Sequence, residues 1–198
     1  MEGYAAIVLA GGSGRRLGGT AKPTLPVGGR RLLDRVLAAL PTASPLVVVG
    51  RVPGGVPAGV LAALEDPPGS GPVAATSAGV ALLPHGVTEV AVLAADLPFL
   101  TTSAITALRR QLATSTVDGA LYVDAGGRRQ LLCGVWRTAP LRAALAHLSA
   151  ERGLAGASMR ALLADLAVGE VSWGDPGPPP WFDCDTDDDL RQAEEWAR

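Results

Sequence analysis

The chain is poor in lysine. Of its 17 basic residues only Lys22 is a lysine; the rest are arginines. Arginine offers a planar fork, lysine a compact charge on a flexible stem. A sequence that otherwise chooses arginine therefore marks position 22 as one that wants an ammonium. Cysteine is scarce as well. Cys133 and Cys184 lie far apart without metal-ligand spacing, which reads as two reduced thiols in a cytoplasmic protein. With a net charge of −2, the chain advertises no broad basic surface for nucleic acid. It has no apolar run of about 18 residues or more and no basic n-region leading into a long apolar segment, so neither a membrane partner nor a secretory leader is expected. At 198 residues, 48% hydrophobic and 18% charged, the sequence is that of a globular protein rather than a disordered one. It is long enough to bury a substantial core, and a single domain over 1–198 is expected.

What is present concentrates between residues 5 and 25. The apolar run from Ala5 to Leu9 breaks into a loop that holds closely spaced glycines, Arg15, Arg16 and Lys22. A strand ending in such a loop points backbone N–H groups into open space, and glycine lets the backbone lie against a ligand without a Cβ clash. N–H groups in turns, with cationic side chains nearby, make a phosphate site. The first expectation is a nucleoside triphosphate held by residues 9–22.

Further along, residues 4–9 and 46–50 read as strands buried on both faces, as in a parallel sheet. Residues 30–40 place Leu33, Val36, Leu37 and Leu40 on one helical face, with Pro41 and Pro45 ending the helix. Residues 51–59 carry turn residues and no clear element. A loop over 64–71 leads to a helix from Pro72, which suits a first helical position. The small residues Ala74, Ala75, Ser77, Ala78 and Gly79 allow that helix a close approach to another backbone or to a ligand. Residues 119–124 and 130–136 read as a hairpin-like pair of strands around Gly126–Arg129. Helices follow at 140–148 and 158–166, then a strand at 168–173 and a closing helix from about Asp187, capped by Asp185 or Thr186. Alternating strands and helices define the α/β class with a mostly parallel sheet.

Asp96 stands out in EVAVLAADLPFLT, 89–101. Residues 90–94 form a strand, Pro98 ends it, and Thr101 or Thr102 caps the next helix, which leaves Asp96 free of capping duty. Ligands of open α/β sheets bind at the carboxyl ends of strands, so Asp96 falls on the same edge as the glycine loop and suits a metal or catalytic role. In the closing stretch, first-turn acids serve the helix dipole, which accounts for Asp187 to Asp189. Asp183 and Asp185 precede the cap and are candidates to help Asp96 hold a metal.

Four of these stretches resemble, in order, the small MobA-like nucleotidyltransferases: LAGGSGRRLGGTAK (9–22), EDPPGSGPVAA (65–75), AADLPFL (94–100) and FDCDTDDDL (182–190). The molybdenum cofactor guanylyltransferase type matches best, on LAGG rather than LAAG and on length. The resemblance implies a Rossmann-like three-layer fold with helices on both faces of the sheet. It implies GTP, Mg²⁺ and molybdopterin or molybdenum-molybdopterin as partners, and transfer of GMP with release of pyrophosphate. Molybdoenzymes or cofactor-assembly proteins are further expected partners. By position, Leu9, Ala10, Gly11, Gly12, Ser13, Lys22, Asp66, Gly71 and Asp96 are the implied nucleotide-binding residues. Asp66 lies near guanine, Lys22, Arg15 and Asp96 carry catalysis, and Asp96 with Asp185 holds the metal. Two departures stand out. Gly50 and Arg51 occupy the place where many relatives carry a base-reading asparagine, and aspartates 183 and 185 replace asparagines in the closing element.

The chemistry so implied requires little covalent help. A terminal phosphate attacks the α-phosphorus of GTP in line, and the protein positions two anions and absorbs charge. No general base is needed, since the attacking oxygen is already anionic. A carboxylate such as Asp66 or Glu65 can accept from guanine N1–H and N2–H₂, a pair that cytosine does not present. The alternatives are a relative with another base or acceptor (molybdopterin cytidylyltransferase, phospholactate guanylyltransferase) or a non-catalytic nucleotide-binding protein. A dinucleotide-binding oxidoreductase is disfavoured: GxGxxG spacing is absent, and no acidic residue ends the second strand.

Overall fold

The structure is a computed structural model that describes residues 3–11 and 21–198. In chain order its elements begin with β1 (Tyr4–Leu9), the short strands β2 (Pro26–Val27) and β3 (Arg30–Arg31), and α1 (Leu32–Ala38). Then come β4 (Ala43–Val49), β5 (Leu61–Ala63), α2 (Pro72–Ala81), β6 (Glu89–Ala94) and α3 (Thr102–Ala113). The chain closes with β7 (Gly119–Val123), β8 (Arg129–Arg137), α4 (Thr138–Arg152), α5 (Met159–Leu162), β9 (Val168–Ser172) and α6 (Asp187–Trp196). Seven strands form one sheet in the order β5-β4-β1-β6-β8-β7-β9. Four of its pairings are parallel, and β8 runs antiparallel to both its neighbours. The mostly parallel α/β expectation therefore holds.

Strand β1 is central, and its side chains alternate between two cores. Tyr4, Ala6 and Val8 face a layer that includes Leu33 and Val36 of α1 and Ile105 and Leu108 of α3. Ala5, Ile7 and Leu9 face a layer with Val73 and Val80 of α2 and Leu141 and Leu145 of α4. Period-two alternation with both faces apolar is what a strand between two helical layers requires. The small residues of α2 serve that packing at Gly79, where a Cβ would lie 2.6 Å from Ile7 Cγ2. A third, smaller cluster of Val27, Leu32, Cys184 and Ala193, with Phe99 and Phe182, seats α6 on the β2–β3 hairpin.

Caps explain several boundaries. Thr101 Oγ1 accepts from the Ala104 N–H at 3.1 Å and starts α3. Thr186 and Asp189 form a reciprocal capping box at α6. Other boundaries differ from the sequence expectation. Arg30 and Arg31 belong to a hairpin strand rather than to α1, because Gly28 and Gly29 (φ 56° and 73°) turn the chain tightly just before them. Residues 61–63, in a stretch with no clear sequence signal, form edge strand β5 along β4. Helix α4 starts at Thr138, with Pro140 inside its first turn, where no intrahelical N–H is required. Helix α5 is one turn, shorter than the expected 158–166.

Candidate functional site

Register places four chain segments on one edge. Leu9 lies opposite both Val49 and Ala94, and Val49 lies opposite Ala63. Strands β1, β4, β5 and β6 therefore end flush, and residues 10–11, 50, 64–66 and 95–96 emerge side by side. The ladder continues one residue beyond the strands: Ala10 N–H donates to Val49 O at 2.7 Å, Gly50 N–H to Ala63 O at 2.9 Å and Ala95 N–H to Leu9 O at 3.1 Å. Gly50 is required here. Its φ is 128°, and a Cβ would lie 2.7 Å from both the Ala10 carbonyl carbon and the Gly11 nitrogen. Any side chain at this position would collide with the backbone of Ala10 and Gly11. The sequence contains no asparagine at any position.

The next segment carries two carboxylates with opposite orientations. Asp66 is exposed, whereas Glu65 is 7% exposed. Glu65 Oε1 accepts from the Gly69 N–H at 2.8 Å and lies 3.8 Å from where a Cβ on Gly11 would be. Among the described residues its Oε2 is buried without a partner. Such an orphaned acceptor carries the cost of lost hydration until a donor arrives. Gly71, at φ 94°, is the N-cap of α2 and closes this loop.

Lys22, Asp96 and Asp185 meet across the edge. Lys22 opens a short 3-10 turn, Lys22–Thr24, anchored by the buried Pro23 and by Thr24 Oγ1 donating to Ala21 O at 2.7 Å. Its Nζ lies 3.3 Å from Asp96 Oδ2 and also donates to Asp185 Oδ1. Asp96 is mostly buried, and Asp185 is about half exposed. Burial works against the Lys22 ammonium, but the hydrogen bonds and charges of Asp185 and Asp96 outweigh it and hold its pKa above the ordinary value. Burial raises the Asp96 carboxyl above the ordinary range, with Lys22 offsetting part of the effect. Asp183 is raised too, first by lost hydration and then by Asp185 and Asp96.

Asp185 is delivered by the C-terminal segment. The Asp185 and Thr186 N–H groups both donate to Asp189 Oδ2, at 3.1 and 2.8 Å. Phe182 and Trp196 pack with rings 4.9 Å apart, and Phe99, beyond Asp96, contacts both at 6.0 and 5.6 Å. Arg35 Nε donates to Pro98 O at 2.9 Å and Nη1 to Val27 O at 3.1 Å, tying the hairpin to the Asp96 loop. Sequence reasoning missed Phe99, Phe182, Trp196 and Arg35 as supports. Their one signal was aromatic residues flanking both acidic stretches in a chain that is 4% aromatic.

Of the expected site residues, Ala10, Gly11, Lys22, Asp66, Asp96 and Asp185 lie on this edge, and Gly71 ends the loop that follows Asp66 as the N-cap of α2. The Leu9 side chain is 6% exposed in the core, so it offers the edge only its backbone. Gly12, Ser13 and Arg15 lie outside the described residues. Among the described residues no three His, Cys, Asp or Glu side chains form a ready metal cage. The donor set still fits Mg²⁺, which binds through one or two carboxylates, phosphate oxygens and waters: the oxygens of Asp96 and Asp185 already converge on one cationic atom.

A sheet whose carboxyl edge gathers glycine-rich backbone, a lysine and two carboxylates belongs to the nucleotide-handling α/β class. The chain is a member of the MobA-like NTP transferase family, whose domain matches residues 6–169, and so is a nucleotidyltransferase. It is 32% identical to a molybdenum cofactor guanylyltransferase of Bradyrhizobium sp. over 96% of this chain and 92% of that one. A Cereibacter sphaeroides protein of the same name is 32% identical, covering 97% and 96%. The fold is shared with molybdopterin-guanine dinucleotide biosynthesis protein A of Archaeoglobus fulgidus, at TM-score 0.72, 19% identity and 96% and 97% coverage. It is also shared with 2-C-methyl-D-erythritol 4-phosphate cytidylyltransferase of Francisella tularensis, at TM-score 0.78 and 16% identity, covering 100% of both chains. The family's name marks it as a family of nucleoside triphosphate transferases. No helix among the described residues is long and apolar enough to cross a membrane.

Proposed function

We propose that this chain transfers GMP from GTP to molybdenum-molybdopterin, releasing pyrophosphate, as one catalytic domain working in the cytoplasm. The near-full-length likeness to guanylyltransferases supports the reaction. The convergence of Lys22, Asp96 and Asp185 on the sheet edge beside Ala10–Gly11 is the observation that carries it.

The backbone of residues 9–13 and the guanidinium of Arg15 bind the triphosphate. The Lys22 ammonium stabilises charge around the α-phosphate and the leaving pyrophosphate, in a partly buried position where a fixed charge acts strongly. Asp96 and Asp185 would hold Mg²⁺, which when bound supplies Lewis-acid charge and a template for the phosphate oxygens. Guanine is read by the carboxylates of the 65–66 segment, where Glu65 Oε2, buried without a partner among the described residues, is an acceptor for a donor from the base. The attacking phosphate of the pterin is already an anion, so this chain's task is to align it and shield its charge, not to deprotonate it.

The test is pyrophosphate release with Mg²⁺ and molybdenum-loaded molybdopterin, comparing GTP, CTP and ATP. Release with GTP in clear preference is expected. Release with CTP would keep the mechanism and overturn the base assignment, and GTP binding without release from any nucleotide would overturn the transferase reading.

A further inference from the structure

Lys22 and the implied metal claim the same oxygens. Nζ lies 3.3 Å from Asp96 Oδ2 and also touches Asp185 Oδ1, the two carboxylates expected to hold a divalent ion. A second cation within a few ångströms of the ammonium is strongly repelled at a partly buried site. We propose that Lys22 is a resident counter-cation, so that the site accepts its divalent ion only together with a polyphosphate and not as the free ion. The proposal rests on the nucleotidyltransferase reading of this edge and adds an obligatory coupling to it.

The physical argument is an exchange. If free metal displaced Lys22, the ammonium would lose two charge-assisted hydrogen bonds. When a polyphosphate arrives with the metal, its oxygens take the ammonium while the metal takes the carboxylates, and every charge keeps a partner. The backbone need not move: Pro23 is buried, and the Leu25 N–H donates to Lys22 O at 3.0 Å, so the motion belongs to the side-chain stem. This is a task for lysine rather than arginine, because it needs a point charge on a flexible stem rather than a fork that locks onto a carboxylate. It also accounts for a lone ammonium among 17 basic residues. By linkage, metal raises polyphosphate affinity by the same factor that polyphosphate raises metal affinity.

The experiment uses the nucleotide-free protein and Mn²⁺ alone, with free ion counted by its electron paramagnetic resonance signal. Lys22→Met is expected to bind Mn²⁺ at least about tenfold more tightly than wild type, and adding Asp96→Asn to that variant is expected to cancel the gain. Equal or weaker binding by Lys22→Met overturns the proposal. A second measurement needs no variant. Reductive ¹³C-methylation of the sole lysine keeps its charge and gives one side-chain resonance. Mg²⁺ alone is expected to leave that resonance in place, and Mg²⁺ with inorganic tripolyphosphate to shift it. A shift with Mg²⁺ alone at the same concentration overturns the coupling. A tripolyphosphate response with no preference for GTP over other nucleotides would support the coupling while overturning the guanylyl reading.

Discussion

The backbone N–H of Cys184 donates to the carbonyl oxygen of Asp96 at 3.3 Å. This bond pins the C-terminal segment to the end of β6, and one residue later Asp185 reaches Lys22. The position of Asp185 thus depends on packing far along the chain. Phe182→Ala removes a half-buried ring from the contact with Phe99 and Trp196. A stability loss of about 1–3 kcal/mol is expected, with turnover falling more than the unfolded fraction explains. Chemical denaturation alongside initial rates checks both.

Lys22→Ala is expected to lower turnover by at least about 100-fold, the scale of removing one preorganised charge from a developing anion. The fold should persist, because the side chain lies at the rim and not in either main core. Pyrophosphate release and circular dichroism decide it.

Asp96→Asn separates function from stability. Burial raises the Asp96 pKa above its unfolded value, with Lys22 offsetting part of the effect, so the folded chain holds a proton there more readily than the unfolded chain does. The stability this group contributes is therefore fully present below the ordinary aspartate pKa and is lost as pH rises through the raised one. At neutral pH the asparagine variant should be inactive yet melt no lower than wild type. Its relative advantage should shrink as pH falls through the folded-state pKa of Asp96. Melting curves at a series of pH values from 7 down to 4 test this sign.

Base choice is tested at residues 65 and 66. Glu65→Gln keeps the shape but halves the acceptor capacity, and the preference for GTP over ATP is expected to fall about 5- to 150-fold, the equivalent of about 1–3 kcal/mol. Asp66→Ala is expected to reduce the same preference by less, since its carboxylate is exposed. Nucleotide competition assays measure both. Equal losses for GTP and ATP in both variants would move base reading elsewhere.

Gly50→Ala should weaken nucleotide binding and stability together. Its positive φ and the 2.7 Å approach to the Ala10–Gly11 backbone leave no room for a methyl group. Isothermal titration with GTP and thermal melting report the two effects.

Much of this was legible from residues alone. Strands β1 and β6, helices α3 and α6 with their caps, and the shared edge of Ala10–Gly11 and Asp96 all follow from local patterns. The hairpin at Arg30–Arg31 was not legible, because two arginines ahead of an apolar helical stripe look like a helix start until the glycine turn is seen. Strand β5 has three residues and takes its structure from pairing with β4 rather than from its own pattern. The opposite fates of Glu65 and Asp66 were beyond reach as well, since adjacent carboxylates have the same composition and only the fold decides which turns inward. Lys22 was marked by composition, but composition does not say that two aspartates from distant segments already hold it.

The aromatic side chains have an optical consequence. Trp173 and Trp181 lie against Tyr122, at 5.8 and 5.1 Å, and Trp196 lies against Phe99 and Phe182. Three of the four tryptophans thus sit between β9 and the end of α6, the stretch that carries Asp185, and only Trp136 emits from the central sheet. The intrinsic fluorescence of this protein is therefore a built-in gauge of that stretch, and its rearrangement can be followed in real time without attaching a label.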